Sequence, residues 1–383
     1  METSYDVQLS QWVAEQIDFT VNQVRKNTKT FDTLVPPAAS EQLVYRPEAN
    51  HDWTASFWTG MLFLSKELTG STEFDETIEK QLHSFQERLD QRIGLETHDI
   101  GFLYSLTAIA DYRVNGRESS KKLAIAAADL LMARYSPKAQ IIQAWGNLDD
   151  PQQRGRIIID CLMNLPLLYF ASQMTGDESY KQAAYAHAKQ TQKYIVRDNA
   201  TTYHTYYFDV ETGAAIGGNT QQGYADDSCW ARGQAWGIYG FTLSYLYTGD
   251  TSFLKTAQDL ADYFIAELPA DKVSYWDLVF NDGSQEERDS SAAAIAVCGL
   301  LELAKHLPIT QPNQAAYQEN ALAILASLAQ NYTTIDHPES NGLLMHGVYD
   351  KNSLKGVNEC MIWGDYYYME ALMRVSQSWY SYW

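Results

Sequence analysis

The sequence predicts an all-α chain folded as a double ring of helices, six inner and six outer. Three observations carry that prediction. One phrase recurs along the 383 residues: an almost wholly apolar helix, a tight turn, then an amphipathic helix rich in Ala, Leu and aromatics. The turn itself repeats as Leu68-Thr69-Gly70-Ser71, Met174-Thr175-Gly176-Asp177 and Tyr247-Thr248-Gly249-Asp250. Gly suits the position just past a helix end, and Ser or Asp suits the next N-cap. Finally, one helix at each end of the chain lacks a sequence neighbour, so the two can pair and close a ring.

Taken in order, a lone first helix is expected from about Tyr5 to Arg25. Five hairpins follow, with first helices starting near Trp53, Asp99, Asp160, Ser228 and Asp289. A lone last helix starts near Gly364. The first helix of each hairpin is apolar nearly all round, as buried helices are. The second shows spaced apolar positions, such as Leu123, Ala127, Leu130 and Leu131, as an outer layer would. The spacing of roughly 45 to 75 residues is too long and uneven for a tetratricopeptide array. Strand signals are confined to loops, Tyr203 to Val210 for instance. No linker rich in Pro, Gly or Ser divides the chain, so residues 1–383 are expected to form a single domain.

Composition narrows the function. Hydrophobic residues make up 45% and charged ones 20%, which marks a globular chain. The net charge of -20 disfavours nucleic acid and anionic membranes as partners, and no run of Lys or Arg offsets it locally. An acidic substrate would need a few placed cations. Cys161, Cys229, Cys298 and Cys360 lie too far apart for metal spacing or a small disulfide framework. Free buried thiols in a reducing compartment are the expectation. Met1-Glu2-Thr3-Ser4-Tyr5-Asp6 lacks a basic region and an apolar region, so no export signal is read and a cytoplasmic location is expected. The sequence sets no oligomeric state.

If the hairpins are equivalent, their inner helices begin at one rim. That rim would gather Trp53, Trp58, His98, Asp99, Asp160, Arg232, Trp236, Asp289, Trp363 and Asp365. The loops feeding it would add Trp145, His204 and Gln222. An aromatic wall with a few convergent polar groups is the make-up of a ligand pocket, and flat rings suit the apolar faces of sugars. Large aromatics also fill wide cores, and the ten Trp and 26 Tyr could do that alone.

Asp160 stands out, set between Ile157-Ile158-Ile159 and the apolar run Cys161-Leu162-Met163-Asn164-Leu165-Pro166. Pro166 is tolerated only in a first turn, so a helix is expected to start just after Asp160. Asp160 is then either a plain N-cap or a carboxyl group with a task. Apolar walls would raise its pKa and a helix N-terminus would lower it. Asp99 heads the adjacent inner helix. Two neighbouring carboxylates push their pKa values apart, so one stays protonated near neutral pH. That equips them for general acid–base chemistry on a glycosidic or enol-ether oxygen. His98 could pair with Asp99 or touch substrate. Arg232 offers either a fork for a substrate carboxylate or an internal salt bridge.

Several stretches together resemble the unsaturated glucuronyl hydrolases of glycoside hydrolase family 88. They are His98-Asp99-Ile100-Gly101-Phe102, Ile159-Asp160-Cys161-Leu162-Met163-Asn164-Leu165, Ser228-Cys229-Trp230-Ala231-Arg232-Gly233-Gln234-Ala235-Trp236, and Trp363-Gly364-Asp365-Tyr366-Tyr367. The resemblance implies an (α/α)6 barrel, the double ring read above. It places the family's two central aspartates on Asp99 and Asp160. Its sugar-contacting positions fall on Trp53, His98, Trp145, His204, Gln222, Arg232 and Trp236. A family stretch that reads sulfate, Ser-x-x-Ser-x-Lys, falls on Asp350-Lys351-Asn352-Ser353-Leu354-Lys355. Ser353 and Lys355 are kept there, and Asp350 replaces the first Ser. Asp350 would repel sulfate unless it turns away or pairs with Lys351.

The implied substrates are lyase-generated oligosaccharides ending in a 4,5-unsaturated uronic acid. The implied reaction is hydration of that enol ether, with Asp160 as proton donor, Asp99 as its partner, and no metal or organic cofactor. A rhamnogalacturonyl hydrolase is the nearest alternative. A sugar 2-epimerase leaning on His98 and His204 comes next, and a non-enzymatic helical scaffold last.

Overall fold

The computed structural model describes residues 4–150 and 152–383. Met1–Thr3, part of the stretch read for an export signal, lie outside the described residues. Twelve helices account for most of it. They are α1 (Ser4–Phe31), α2 (Ala55–Thr69), α3 (Asp75–Gln91), α4 (residues 100–115, with a π turn at Ser105–Ile109), α5 (Glu118–Met132), α6 (Leu165–Thr175) and α7 (Glu178–Tyr194). Then come α8 (Ala231–Thr248), α9 (Thr251–Ala266), α10 (Ser290–Lys305), α11 (Pro312–Asn331) and α12 (Ile362–Ser376). Helices α2, α4, α6, α8, α10 and α12 pack side by side in a closed inner ring, with α12 returning to α2. The others lie outside, and α1 packs on α12 and α2 as the sixth hairpin. The structure is thus the predicted (α/α)6 barrel.

Hairpin turns follow the predicted chemistry. Gly70, Gly176 and Gly249 take the left-handed conformation at φ 65°, 77° and 73°, which costs a residue without a side chain least. Asp177 and Asp250 cap the following helices by accepting from Ser179 N and Ser252 N. Ser71 does not cap: it accepts from Glu73 N, and α3 starts later, at Asp75.

Helix starts fall within a few residues of expectation except at the third hairpin. There Ile159–Met163 winds as a 3-10 helix, and α6 begins only at Leu165, with Pro166 in its first turn. Asp160 is therefore not an N-cap.

Short strands decorate the rim end. Strands β1 (Tyr135–Ser136) and β2 (Ile141–Ile142) form a hairpin. Strands β3 (Arg156–Ile158), β4 (Thr205–Phe208) and β5 (Ala215–Asn219) form an antiparallel sheet that pairs Arg156 with Tyr207 and Ile158 with Thr205. Strands β6 (Gly347–Asp350) and β7 (Lys355–Glu359) make the last hairpin. Strand β4 falls inside the expected Tyr203–Val210.

One apolar core runs from Val13 to Trp383. Its axis is aromatic: Phe102 lies 5.4–5.8 Å from the rings of Trp53, Phe57, Trp236 and Trp383. No helix among the described residues is long and apolar enough to cross a membrane. All four cysteines are free and buried.

Candidate active site

The inner ring brings Asp99 and Asp160 together through a glycine. A side chain on Gly101 would come within 2.3 Å of the Asn164 Cα, so only Gly lets α4 press against the turn that carries Asp160. Asn164 secures the contact by accepting from Phe102 N at 2.7 Å. Both carboxyl groups then face His98. Its Nε2 lies 3.4 Å from Asp99 Oδ1 and 3.3 Å from Asp160 Oδ1. Thr97 Oγ1 donates to the other Asp99 oxygen at 2.7 Å.

Three buried polar atoms meet here without a hydrogen-bond partner among the described residues: His98 Nδ1, Asp99 Oδ1 and Asp160 Oδ1. Such atoms are rare in a folded core and call for an explanation. The side chains of Asp99 and Asp160 keep 14% and 17% of their surface exposed, and that surface opens on a cavity.

Electrostatics separate the two acids. Burial pushes Asp99 up to about 6, against the Thr97 hydrogen bond and the pull of Arg134 and Arg88. Asp160 stands well above the usual carboxylate range, first through burial and then through the Asp99 charge, with Arg232 opposing. The pair therefore shares one proton near neutral pH, and Asp160 holds it. His98 and His204 are both pushed down to about 3 by burial, so both rings are neutral.

The cavity, of about 230 Å³, is lined by Trp53, His98, Asp99, Trp145, Ile158, Asp160, His204, Gln222, Trp230, Arg232, Trp236 and Tyr349. Nine of these were expected from sequence. Ile158, Trp230 and Tyr349 were not. Ile158 sits in a run of three isoleucines, where no alternation tells which one faces a cavity. Trp230 sits inside a quoted motif and went unassigned. Tyr349 arrives only because the ring closes: its hydroxyl accepts from Trp53 Nε1 at 3.0 Å.

Other rim expectations are corrected. Trp58 is buried against Phe31, Trp363 stacks behind Trp53 at 5.4 Å, and Asp365 is buried, accepting from Tyr45 and Leu344. None of the three lines the cavity.

Arg232 lines it, but its fork is already engaged. Nη1 pairs with Asp289 Oδ2 at 3.0 Å, and Nη2 donates to Gln222 Oε1 and Tyr349 O, each at 2.7 Å. The internal salt bridge is what the structure shows. Asp289 also caps α10 by accepting from Ser291 N and Ala292 N, so it stands behind Arg232 rather than in the cavity. His204 Nδ1 accepts from Gln221 N and Gln222 N. That leaves Nε2 to carry the ring's proton.

Ser353 and Lys355 stand outside the cavity lining, on the exposed turn of β6–β7. Asp350 turns inward on itself: it accepts from Ser353 Oγ at 2.6 Å and from Asn352 N. Lys351 pairs with Glu287 instead of Asp350. Lys355 Nζ lies 4.2 Å from the centre of the Tyr349 ring, and Tyr349 lines the cavity.

His98, Asp99 and Asp160 also bring one potential metal-ligand atom each within 4.8 Å of one another. A cation would require both carboxyl groups deprotonated. Burial that raises both pKa values favours a proton there instead.

Comparison with known proteins places the chain in a family. Residues 24–379 match the model of Glycosyl Hydrolase Family 88. The chain is 44% identical over 371 residues to an unsaturated chondroitin disaccharide hydrolase of Streptococcus pneumoniae, covering 97% of this chain and 93% of that protein. It superposes on the crystal structure of an unsaturated glucuronyl hydrolase from Streptococcus agalactiae with TM-score 0.95 at 44% identity, over 98% and 94% of the two chains. A mutant of that enzyme complexed with dGlcA-GalNAc6S gives TM-score 0.87 at 42% identity, over 97% and 93%. The chain belongs to glycosyl hydrolase family 88.

Proposed function

We propose that this chain is an unsaturated glucuronyl hydrolase acting on chondroitin- and hyaluronan-type oligosaccharides left by polysaccharide lyases, as one catalytic domain over residues 1–383. The observation that carries the reading is the placement of Asp99 and Asp160 side by side against His98 in an aromatic-lined cavity, where burial and the neighbouring Asp99 charge raise the Asp160 carboxyl group. Family membership and the names of the similar proteins support it.

The reaction follows from the Asp160 proton. Asp160 delivers it to C4 of the C4=C5 double bond, and positive charge develops on C5 and the ring oxygen. Water adds at C5 and returns a proton to Asp160. The hemiketal so formed opens, and the aglycone sugar leaves from C1. Direct attack at C1 is unnecessary, so the usual rule relating carboxylate separation to retention or inversion does not apply. Asp99 sets the pKa of Asp160, and His98 Nε2 sits within 3.4 Å of both acids. Trp53, Trp145 and Trp236 offer faces to the sugar, and His204 and Gln222 offer polar contacts. Arg232 supports the carboxylate end through its field more than through a free fork. Ser353 and Lys355 read sulfate on the aglycone at the mouth. No metal or organic cofactor takes part.

Epimerisation is disfavoured because it needs basic histidines, and burial leaves His98 and His204 poor bases. The four free thiols fit a reducing, cytoplasmic setting. The test is absorbance of the unsaturated-uronate band with lyase-generated disaccharides, read alongside chromatography of the released sugar. Loss of the band in step with sugar release is expected. Release with the band intact would overturn the reading.

A further inference from the structure

Arg156 has no place in the chemistry above, yet it stands on the wall of the site. It begins β3, two residues before Ile158, and side chains two apart on a strand share a face. Ile158 lines the cavity and Arg156 does not. The strand rise therefore sets Arg156 about 6.5 Å further out along that wall. Its guanidinium carbon lies 4.6 Å above the ring of Trp145 and 5.6 Å from that of Tyr207, its cross-strand partner. Trp145 lines the cavity, and Tyr207 touches the next loop, where Gln221 Nε2 meets its hydroxyl at 3.4 Å.

What Arg156 lacks is a carboxylate. Among the described residues, Arg154 pairs with Glu211 and Arg288 with Asp271, and Arg197 donates to backbone carbonyls. Arg156 has neither an ion pair nor a side-chain hydrogen bond among them, and its Nε is buried without a partner. This happens in a chain with 48 acidic and 28 basic residues. Stacking fixes the plane of the guanidinium and leaves its N–H edge free, the geometry that suits a two-point contact with an anionic oxygen pair. Lys355 is a separate cation: it belongs to the last hairpin of the ring and Arg156 to the third.

We propose that Arg156 is a specificity residue that binds an anionic group on the departing saccharide, beyond the bond to be broken. The group is either a sulfate ester on the first leaving sugar or the carboxylate of the next uronate in a longer oligosaccharide. Both present paired anionic oxygens to the same edge. This inference rests on the function proposed above and names the substrate features that the site selects.

Three saccharides decide it: an unsulfated unsaturated disaccharide, its sulfated counterpart, and an unsulfated tetrasaccharide carrying a second uronate. kcat/KM is measured for each on the wild type, Arg156→Ala and Arg156→Lys. For Arg156→Ala the loss should be about tenfold greater on at least one of the two saccharides with an additional anionic group than on the unsulfated disaccharide. It should lie in KM, as loss of uniform binding does. The arm that falls identifies sulfate or carboxylate. Arg156→Lys should recover part of the loss, and the difference should shrink as salt rises. Equal losses on all three would show that Arg156 only backs Trp145, and no loss on any would show no role; either result overturns the proposal. Binding titrations in an Asp160→Asn background separate this inference from the reaction. If the wild type does not hydrate the double bond, yet binding still depends on Arg156 and on the anion, only the proposed reaction fails. If turnover is normal without that selectivity, only this inference fails.

Discussion

Two buried clusters, one at each end of the barrel, treat their acids in opposite ways. At the far end of the inner ring, Arg374 donates to Glu370 at 2.9 Å and pairs with Glu302. Tyr239 and Trp383 Nε1 complete Glu370 at 2.6 and 2.9 Å. His306 lies 3.1 Å from Glu302. Burial is the strongest single influence on the Glu302 carboxyl group and raises it, but Arg374, His306 and Lys305 together outweigh burial and hold the group well below its ordinary range. At the rim, Asp99 and Asp160 meet a neutral His98, keep unpartnered oxygens, and rise in pKa. The first arrangement fixes the fold. The second leaves a proton ready to move. In these two clusters the acids with a counter-charge are structural and the cavity-facing acids without one are reactive; Asp365, also raised by burial to about 7, is closed off from the cavity and stays structural.

The sharpest way to break this contrast is to remove one charge from each end. Asp160→Asn should fold and bind saccharide but lose at least about 10²–10⁴-fold in kcat, the usual worth of general acid–base catalysis. Near wild-type turnover would remove Asp160 from the chemistry. Glu370→Gln should do the reverse. Stripping one partner from a buried ion pair costs about 3–5 kcal/mol, read as a lower denaturation midpoint, with kcat per folded molecule little changed.

Asp99→Asn tests the coupling at the rim. With the neighbouring negative charge gone, the pKa of Asp160 falls, so the alkaline limb of the kcat profile should move to lower pH as activity drops. Limbs that stay where they were would show that the two acids do not interact.

The same variant reports on stability. The folded chain keeps the Asp99 proton up to about pH 6, whereas the ordinary value is 3.8. Between those values the folded state binds more protons than the unfolded state, so stability falls as pH rises. Asp99→Asn should therefore gain melting temperature relative to wild type at pH 7 and gain less at pH 4. Glu302 has the opposite sign: its contribution is present above the ordinary carboxylate pKa and is lost as pH falls through its lowered value. A variant lacking Glu302 should lose most at neutral pH.

The smallest effect belongs to the mouth. Lys355→Ala should raise KM for a sulfated disaccharide several-fold more than for the unsulfated one, because a single exposed ammonium contributes modestly. Equal changes would mean that Lys355 does not read sulfate.

Much of this was visible in the sequence, for identifiable reasons. The Thr-Gly turns and apolar inner helices fix the ring, because helix ends and buried faces leave local signatures. Asp99, Asp160 and the Trp positions could be placed because each follows or precedes an inner helix start. What stayed hidden depends on contacts distant in sequence. The 3-10 turn around Asp160 sits between α4 and α8, where Gly101 meets Asn164 and Gly240 meets Leu162, and nothing beside Asp160 announces it. Tyr349 reaches Trp53 only when the last hairpin closes on the first. The engagement of Arg232 by Asp289, 57 residues later, has no pattern within either segment. Trp58, Trp363 and Asp365 show the converse error: position near a rim does not say which way a side chain turns.

The central claim is that the carboxyl group left protonated at the rim puts its proton on C4. Running the reaction in D2O, with NMR of the product at the earliest times, reads that transfer directly. The account predicts one deuteron at C4, on the same face in every product molecule, appearing in step with loss of the double bond and release of the sugar. Sugar released while C4 and C5 remain unsaturated and undeuterated would contradict it.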